Sequence, residues 1–290
     1  MQRKSKQIGV FLMTKVCVVV FVMISLGFLI VECTVSMEMA ESIGIVGQRG
    51  PRGITGLAGN AGLRGDVGDE VGRGDIAILM TSLSKLKRSY YANINEFNLQ
   101  KNNIDTKALF DHSIFEDLFK LNNPGNGRND VYASLKHNVA DIQTVKRIIE
   151  SLTNSSDSIV KEYAKYLLIF LKDSARFIRE VISLLDKELV TLKQSNDLEG
   201  MSELNSMLIM MFRQRESVLD GIHDVLRNAK QSFKPNFVDT VQMRDALGSI
   251  VRPGEKLREK VYGGRFSRSL QSLLLVITEK VNQLKRSLVS

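Results

Sequence analysis

Residues 158–194 read SIVKEYAKYLLIFLKDSARFIREVISLLDKELVTLKQ, and this stretch decides the fold. Val160, Tyr163, Leu167, Leu171, Ile178, Val181, Leu185, Leu189 and Leu192 recur at spacings of three and four, the period of one helix face. Ile159, Leu168, Phe170, Phe177, Ile182 and Leu184 widen that stripe, which predicts a central helix packed on several sides. The polar run Thr153-Asn154-Ser155-Ser156-Asp157 just ahead stops the preceding element and offers an N-cap.

Working outward, the same period predicts helices over 76–98, 106–121, 131–152 and 198–233, with one more reaching about Val251. Asn122-Asn123-Pro124-Gly125-Asn126-Gly127 predicts a loop. Asn196 and Glu199 have capping-box spacing at the start of the 198–233 helix. Its methionines, Met201, Met207, Met210 and Met211, are read as core filling. Pro235 stops that helix, and Pro253-Gly254 kinks or ends the next. A last helix, 265–288, carries Phe266, Leu270, Leu273, Leu274, Ile277, Val281 and Leu284 at close to a heptad. No stretch of the body alternates as a strand does. The expected fold is all-α, a helical bundle of about seven helices over residues 76–290.

Ahead of the body, two segments are not bundle-like. Arg3, Lys4 and Lys6 precede a nearly pure apolar run from Val16 to Val31, VCVVVFVMISLGFLIV, which ends at Glu32-Cys33. A basic head, a short apolar middle and a stop read as a signal peptide or membrane anchor over residues 1–33. Cys33 is the candidate lipidation residue, although Glu32 departs from the small residue expected before it, and an uncleaved anchor is the alternative. From Gly44 to Glu70 glycine falls at every third position, GIVGQRGPRGITGLAGNAGLRGDVGDE. That strict period belongs to a collagen-like chain, because only glycine fits the axis where three such strands meet. Residues 34–75 are therefore expected to be a tether, either an extended spacer or a short triple helix. It holds Arg64-Gly65-Asp66 and ends on Arg73-Gly74-Asp75. Both tripeptides resemble an integrin-binding motif, which makes an adhesin for host matrix or integrin the rival functional expectation, with a structural surface protein that has no host ligand as the third.

Charge and composition remove whole classes of function. The chain of 290 residues carries 40 Lys and Arg against 32 Asp and Glu. The excess sits mainly in the helical body, a charge that attracts anionic glycans, nucleic acid or acidic proteins without choosing among them. No nucleic-acid motif is present, and no nucleic-acid partner is expected. The 2 cysteines, Cys17 and Cys33, both precede the body, so it has no disulfide framework, thiolate metal site or cysteine nucleophile. The 3 histidines have no ligand spacing. Phosphate-binding loops, nucleophile elbows and zinc-protease signatures are missing from the sequence. Neither an enzyme, nor a metal, nor a cofactor is expected. Such a body acts through its surface.

The stretch Val131-Tyr132-Ala133-Ser134-Leu135-Lys136, the following Ile142–Ile149 helix, Leu189-Val190-Thr191-Leu192-Lys193-Gln194, the 198–208 helix start and the passage from Phe233 to Leu247 carry a resemblance. In order and across residues 76–290, they resemble the borrelial complement regulator-acquiring surface protein family, the CspA-like outer-surface lipoproteins. The collagen-like segment is a departure from that family. The resemblance implies a lipid-anchored protein on the outer membrane of a spirochaete, exposed at the cell surface. It also implies capture of a host serum protein, a complement regulator such as factor H, for immune evasion. Finally, it implies that the 265–288 helix is the oligomerisation helix of a homo-oligomer, with its Leu, Ile and Val face buried against a second copy.

Overall fold

The computed structural model describes residues 67–104, 107–119, 124–263 and 268–288. They belong to one compact unit, Arg64–Ser290. Among its described residues the elements are helices, joined by turns and loops, with one isolated antiparallel bridge between Phe233 and Val238. The signal or anchor segment, and the tether up to residue 66, lie outside the described residues.

The chain opens with α1, Val67–Tyr90. The expected boundary between tether and body, at residues 75–76, falls inside this helix. α1 breaks at Tyr90, where Asn93 adopts φ 56°, and restarts as α2, Ile94–Gln100. Asparagine tolerates the left-handed region better than most side chains, which explains why the break falls there. The single helix expected over 106–121 is instead three short turns: α3, Lys107–Phe110, a 3₁₀ turn at Ser113–Phe115, and α4, Glu116–Phe119. The interruption is local capping, with His112 extended and its Nδ1 accepting from the Ile114 N–H at 3.3 Å.

Two further expectations are corrected around residue 130. The loop expected over 122–127 gives way to α5, Pro124–Ala133, with proline as the first helical residue, where its missing N–H costs nothing. The helix expected over 131–152 is two helices, because the chain turns a corner between α5 and α6, Val139–Thr153. Lys136 and His137 make that corner at φ 51° and 54°, and Asn138 then caps α6 by accepting from the Asp141 N–H.

The long pair is α7, Ser158–Leu192, and α8, Leu198–Lys230. Asp157 caps α7 as expected, accepting from the Ile159 N–H at 2.8 Å. At α8 the cap is Asp197, not Asn196; it accepts from the Gly200 N–H at 2.8 Å. α9, Thr240–Val251, stops before Pro253, and Gly254 turns the chain at φ 80°, a conformation that suits glycine. α10, Lys256–Tyr262, and α11, Leu270–Arg286, complete the unit. α7 is the hub: Leu167, Leu171, Ile178, Val181 and Leu185 are fully buried, with α5, α6, α9, α11 and part of α1 packed around them. Each such side chain contributes roughly 1.5–3 kcal/mol on leaving water. Tyr163 and Leu189, read as inward, are only half-buried, and Ile159 is 58% exposed. Met201 and Met211 are buried, with Met207 and Met210 packed against the same core.

Candidate functional site

α11 carries most of the residues expected to join two copies. Its apolar stripe is already used. Leu270, Leu273, Ile277, Val281 and Leu284 are buried, Leu274 is half-buried, and the helix lies in the groove between α7 and α8. Leu284 comes so close to the first turn of α8 that a Cβ at Gly200 would sit 2.7 Å from it. Ion pairs fasten both flanks, Lys285 to Glu188 of α7 at 2.9 Å and Lys280 to Glu203 of α8. Within the chain this face is covered by α7 and α8, a central helix pair whose wide stripes are closed by a third helix. Phe266 lies outside the described residues. What α11 shows to solvent is mostly polar but includes Leu275 and Val276, and a cleft of about 660 Å³ runs along Gln271, Leu275, Glu279, Asn282 and Arg286.

Cys33, Arg64, Gly65 and Asp66 lie outside the described residues. Arg73, Gly74 and Asp75 are helical backbone within α1, with Gly74 exposed and Asp75 half-buried. A helical turn is not the extended loop in which such a tripeptide is presented.

A buried polar cluster was not read from the sequence. Arg215, in the middle of α8, is 1% exposed. Its Nε donates to Ser89 Oγ at 2.9 Å, and its Nη2 donates to the carbonyls of Ser89 and Ala133 at 3.1 and 3.0 Å. Those carbonyls lie where α1 and α5 run out, so one guanidinium satisfies the ends of two helices. Ser89 Oγ donates in turn to Glu216 at 2.5 Å, and Lys136 pairs with the other Glu216 oxygen at 2.8 Å. Beside this chain, Asp130 accepts from the Tyr90 hydroxyl at 2.7 Å and from Arg179 through both oxygens, at 2.9 and 3.0 Å.

Burial pulls the Arg215 guanidinium down to about 10, which leaves it charged at neutral pH. Burial and the Asp130 carboxylate push the Tyr90 hydroxyl up, so it stays a donor. Burial also raises the Glu216 carboxyl, but the hydrogen bonds from Lys136 and Ser89 outweigh it and hold the group below its ordinary value. His137, at the corner itself, has Nδ1 2.9 Å from the Ala92 carbonyl. Burial lowers the His137 imidazole, only partly offset by that hydrogen bond, and the Arg215 charge lowers it further. Members of the cluster pair with one another, and Lys136 also lines a neighbouring hollow. The arrangement can fix the α1–α2 and α5–α6 corners.

Concave surface near it is shallow. Two adjoining hollows of about 230 Å³ each share Asp141 and His223, whose Oδ2 and Nδ1 are 3.6 Å apart. Among the described residues no three His, Cys, Asp or Glu side chains come together as a metal set. No helix among them is long and apolar enough to cross a membrane.

The far end of the bundle carries a second feature the sequence reading passed over. In the turn between α8 and α9, Lys234, Pro235, Asn236, Phe237 and Val238 are all exposed. It is closed by Lys234 N–H donating to the Phe237 carbonyl at 3.0 Å and Asp239 N–H donating to the Ser232 carbonyl at 2.9 Å. Arg147 of α6 stacks 4.2 Å from the Phe233 ring centroid at its base. The adjacent Phe237-Val238 pair, apolar in a segment that follows a proline, was the available signal.

No protein-family model matches this chain, and no curated protein matches it. One solved structure is similar, the crystal structure of a C-terminal proteolytic fragment of an outer surface protein from Borrelia burgdorferi. It is 15% identical, with a TM-score of 0.40, over 76% of this chain and 100% of that one.

Proposed function

We propose that this chain is a surface-exposed lipoprotein of a spirochaete whose helical body captures a host serum protein, a complement regulator such as factor H. One observation carries the reading. In a single chain, a basic-headed apolar segment ending at Cys33 is followed by nine unbroken Gly-X-Y triplets and then by a helical body with its own closed core. The first element directs export and anchoring, with acylation of Cys33 as the anchor. The second is a spacer: at about 3.1 Å per residue, the triplet residues ahead of α1, 44–66, would reach roughly 70 Å when extended. The third has spent its long apolar stripes internally and meets a partner with its outer surface. The body's basic balance favours acidic partners or partners that also bind anionic glycans. Binding, rather than catalysis, is the activity such an arrangement serves, and the triplet run is the segment through which copies would associate.

The test is retention of host protein from serum by the full chain, followed by the same assay with residues 44–63 deleted. Factor H or another complement regulator is expected on both. Retention that disappears with the deletion moves the activity to the tether and the adhesin reading. Retention of no serum protein by either form overturns the proposal.

A further inference from the structure

α1 and α8 run parallel, since Ser82 of α1 donates to Asn205 of α8 and Ser89 to Glu216. α1 therefore begins at the Leu198 end of the bundle, and the α8–α9 turn lies at the opposite end, about 60 Å from Val67 along the helix axes at 1.5 Å per residue. That far end also holds the α6–α7 connection, because Arg147 of α6 stacks on Phe233. Four apolar side chains stand out there: Phe237 at 62% exposure, Val241 at 66%, Ile159 at 58% and Val238 at 36%. Around them are exposed Lys230, Lys234 and Arg147, for which the described residues supply no ion pair. The carboxylates at this end are Asp157 and Asp239, which cap α7 and α9, and Glu162, exposed one turn along α7.

We infer that this end is a docking tip for an anionic phospholipid bilayer, distinct from the host-protein capture proposed above. The apolar residues sit on the α8–α9 turn and on the first turns of α7 and α9, with cations around them. An apolar boundary beneath a layer of phosphates presents the matching chemistry to such a set. Phe237, Val238, Val241 and Ile159 enter the boundary between headgroups and acyl chains, and Lys230, Lys234 and Arg147 meet the phosphates. A bilayer bound in this way lies at the end of the bundle opposite the start of α1.

The chain contains no tryptophan, so Phe237→Trp places a unique fluorophore on the tip of the full chain. Its emission is expected to shift to shorter wavelength with vesicles of phosphatidylglycerol and phosphatidylcholine, and not with phosphatidylcholine alone. Brominated acyl chains should quench it. A control, Val190→Trp, sits on an exposed position near the opposite end of α7 and should not shift, which separates tip docking from anchoring by the apolar N-terminal segment. Adding Lys230→Glu and Lys234→Glu should abolish the Phe237→Trp shift. No shift with anionic vesicles, an equal shift with neutral ones, or an equal shift of the control overturns the inference. A tip signal that responds to serum and not to vesicles also overturns it, and assigns the tip to a protein. Serum retention by the full chain is measured separately, so the two proposals fail independently.

Discussion

Arg215 shows how much of this molecule hangs on single side chains. A guanidinium at the centre of a bundle is costly to desolvate, and here its hydrogens are spent on Ser89 and two backbone carbonyls rather than on a carboxylate. Lysine keeps the charge but cannot fork to those acceptors. Arg215→Lys is expected to lower the unfolding free energy by about 1–3 kcal/mol, the cost of leaving buried acceptors unpaired. Arg213→Lys, two residues away and exposed, should stay within about 0.5 kcal/mol. Denaturant unfolding of the two variants checks the difference.

His137 supplies a pH dependence at the same scale. Its imidazole is held neutral in the fold at a pH where the unfolded chain, titrating near 6.5, takes a proton. The unfolded state therefore binds more protons as pH falls below about 6.5, and stability drops with it; above that pH the contribution is complete. Glu216 acts in the same direction but lower, in the carboxylate range, where its depressed value makes it lose stability on protonation. His137→Asn keeps a residue that tolerates the φ of 54° at this corner. Thermal unfolding of this variant should be flatter than the parent between pH 7 and 5, while an unchanged slope would remove His137 from the account.

At the scale of elements, the sequence was legible where apolar periodicity and end signals agreed. α7 and α8 emerged within a few residues, because wide stripes are bounded by the polar run ending at Asp157, by the polar Asn196 turn and by Pro235. The corner at Lys136-His137 was not legible. Leu135 continues the apolar period straight through it, Lys136 is a type that normally avoids positive φ, and neither glycine nor proline marks the turn. The cluster around Arg215 explains how the corner is held, and it joins residues from four helices that no local pattern relates. Periodicity also could not say which partner a stripe meets. The near-heptad of α11 fits a second copy or the same chain equally well, and only the packing showed that it closes the α7–α8 groove. Ile277→Asp is therefore expected to unfold the body cooperatively, with loss of helical circular dichroism. A folded variant that has merely changed its oligomeric state by sedimentation would mean that α11 serves an intermolecular interface.

At the scale of the whole molecule, the helical body turns its apolar stripes inward and leaves its charge outside. Lys187 on α7, Lys230 at the end of α8 and Lys234 in the α8–α9 turn are all exposed to solvent. If the apolar N-terminal segment and the triplets present this body to the outside, those amines face the medium around an intact cell. The most direct measurement is labelling of intact cells with an amine-reactive reagent that cannot cross membranes, followed by identification of the modified lysines. The account predicts modification of Lys187, Lys230 and Lys234 before any lysis. Modification of these residues only after the cells are broken would contradict it.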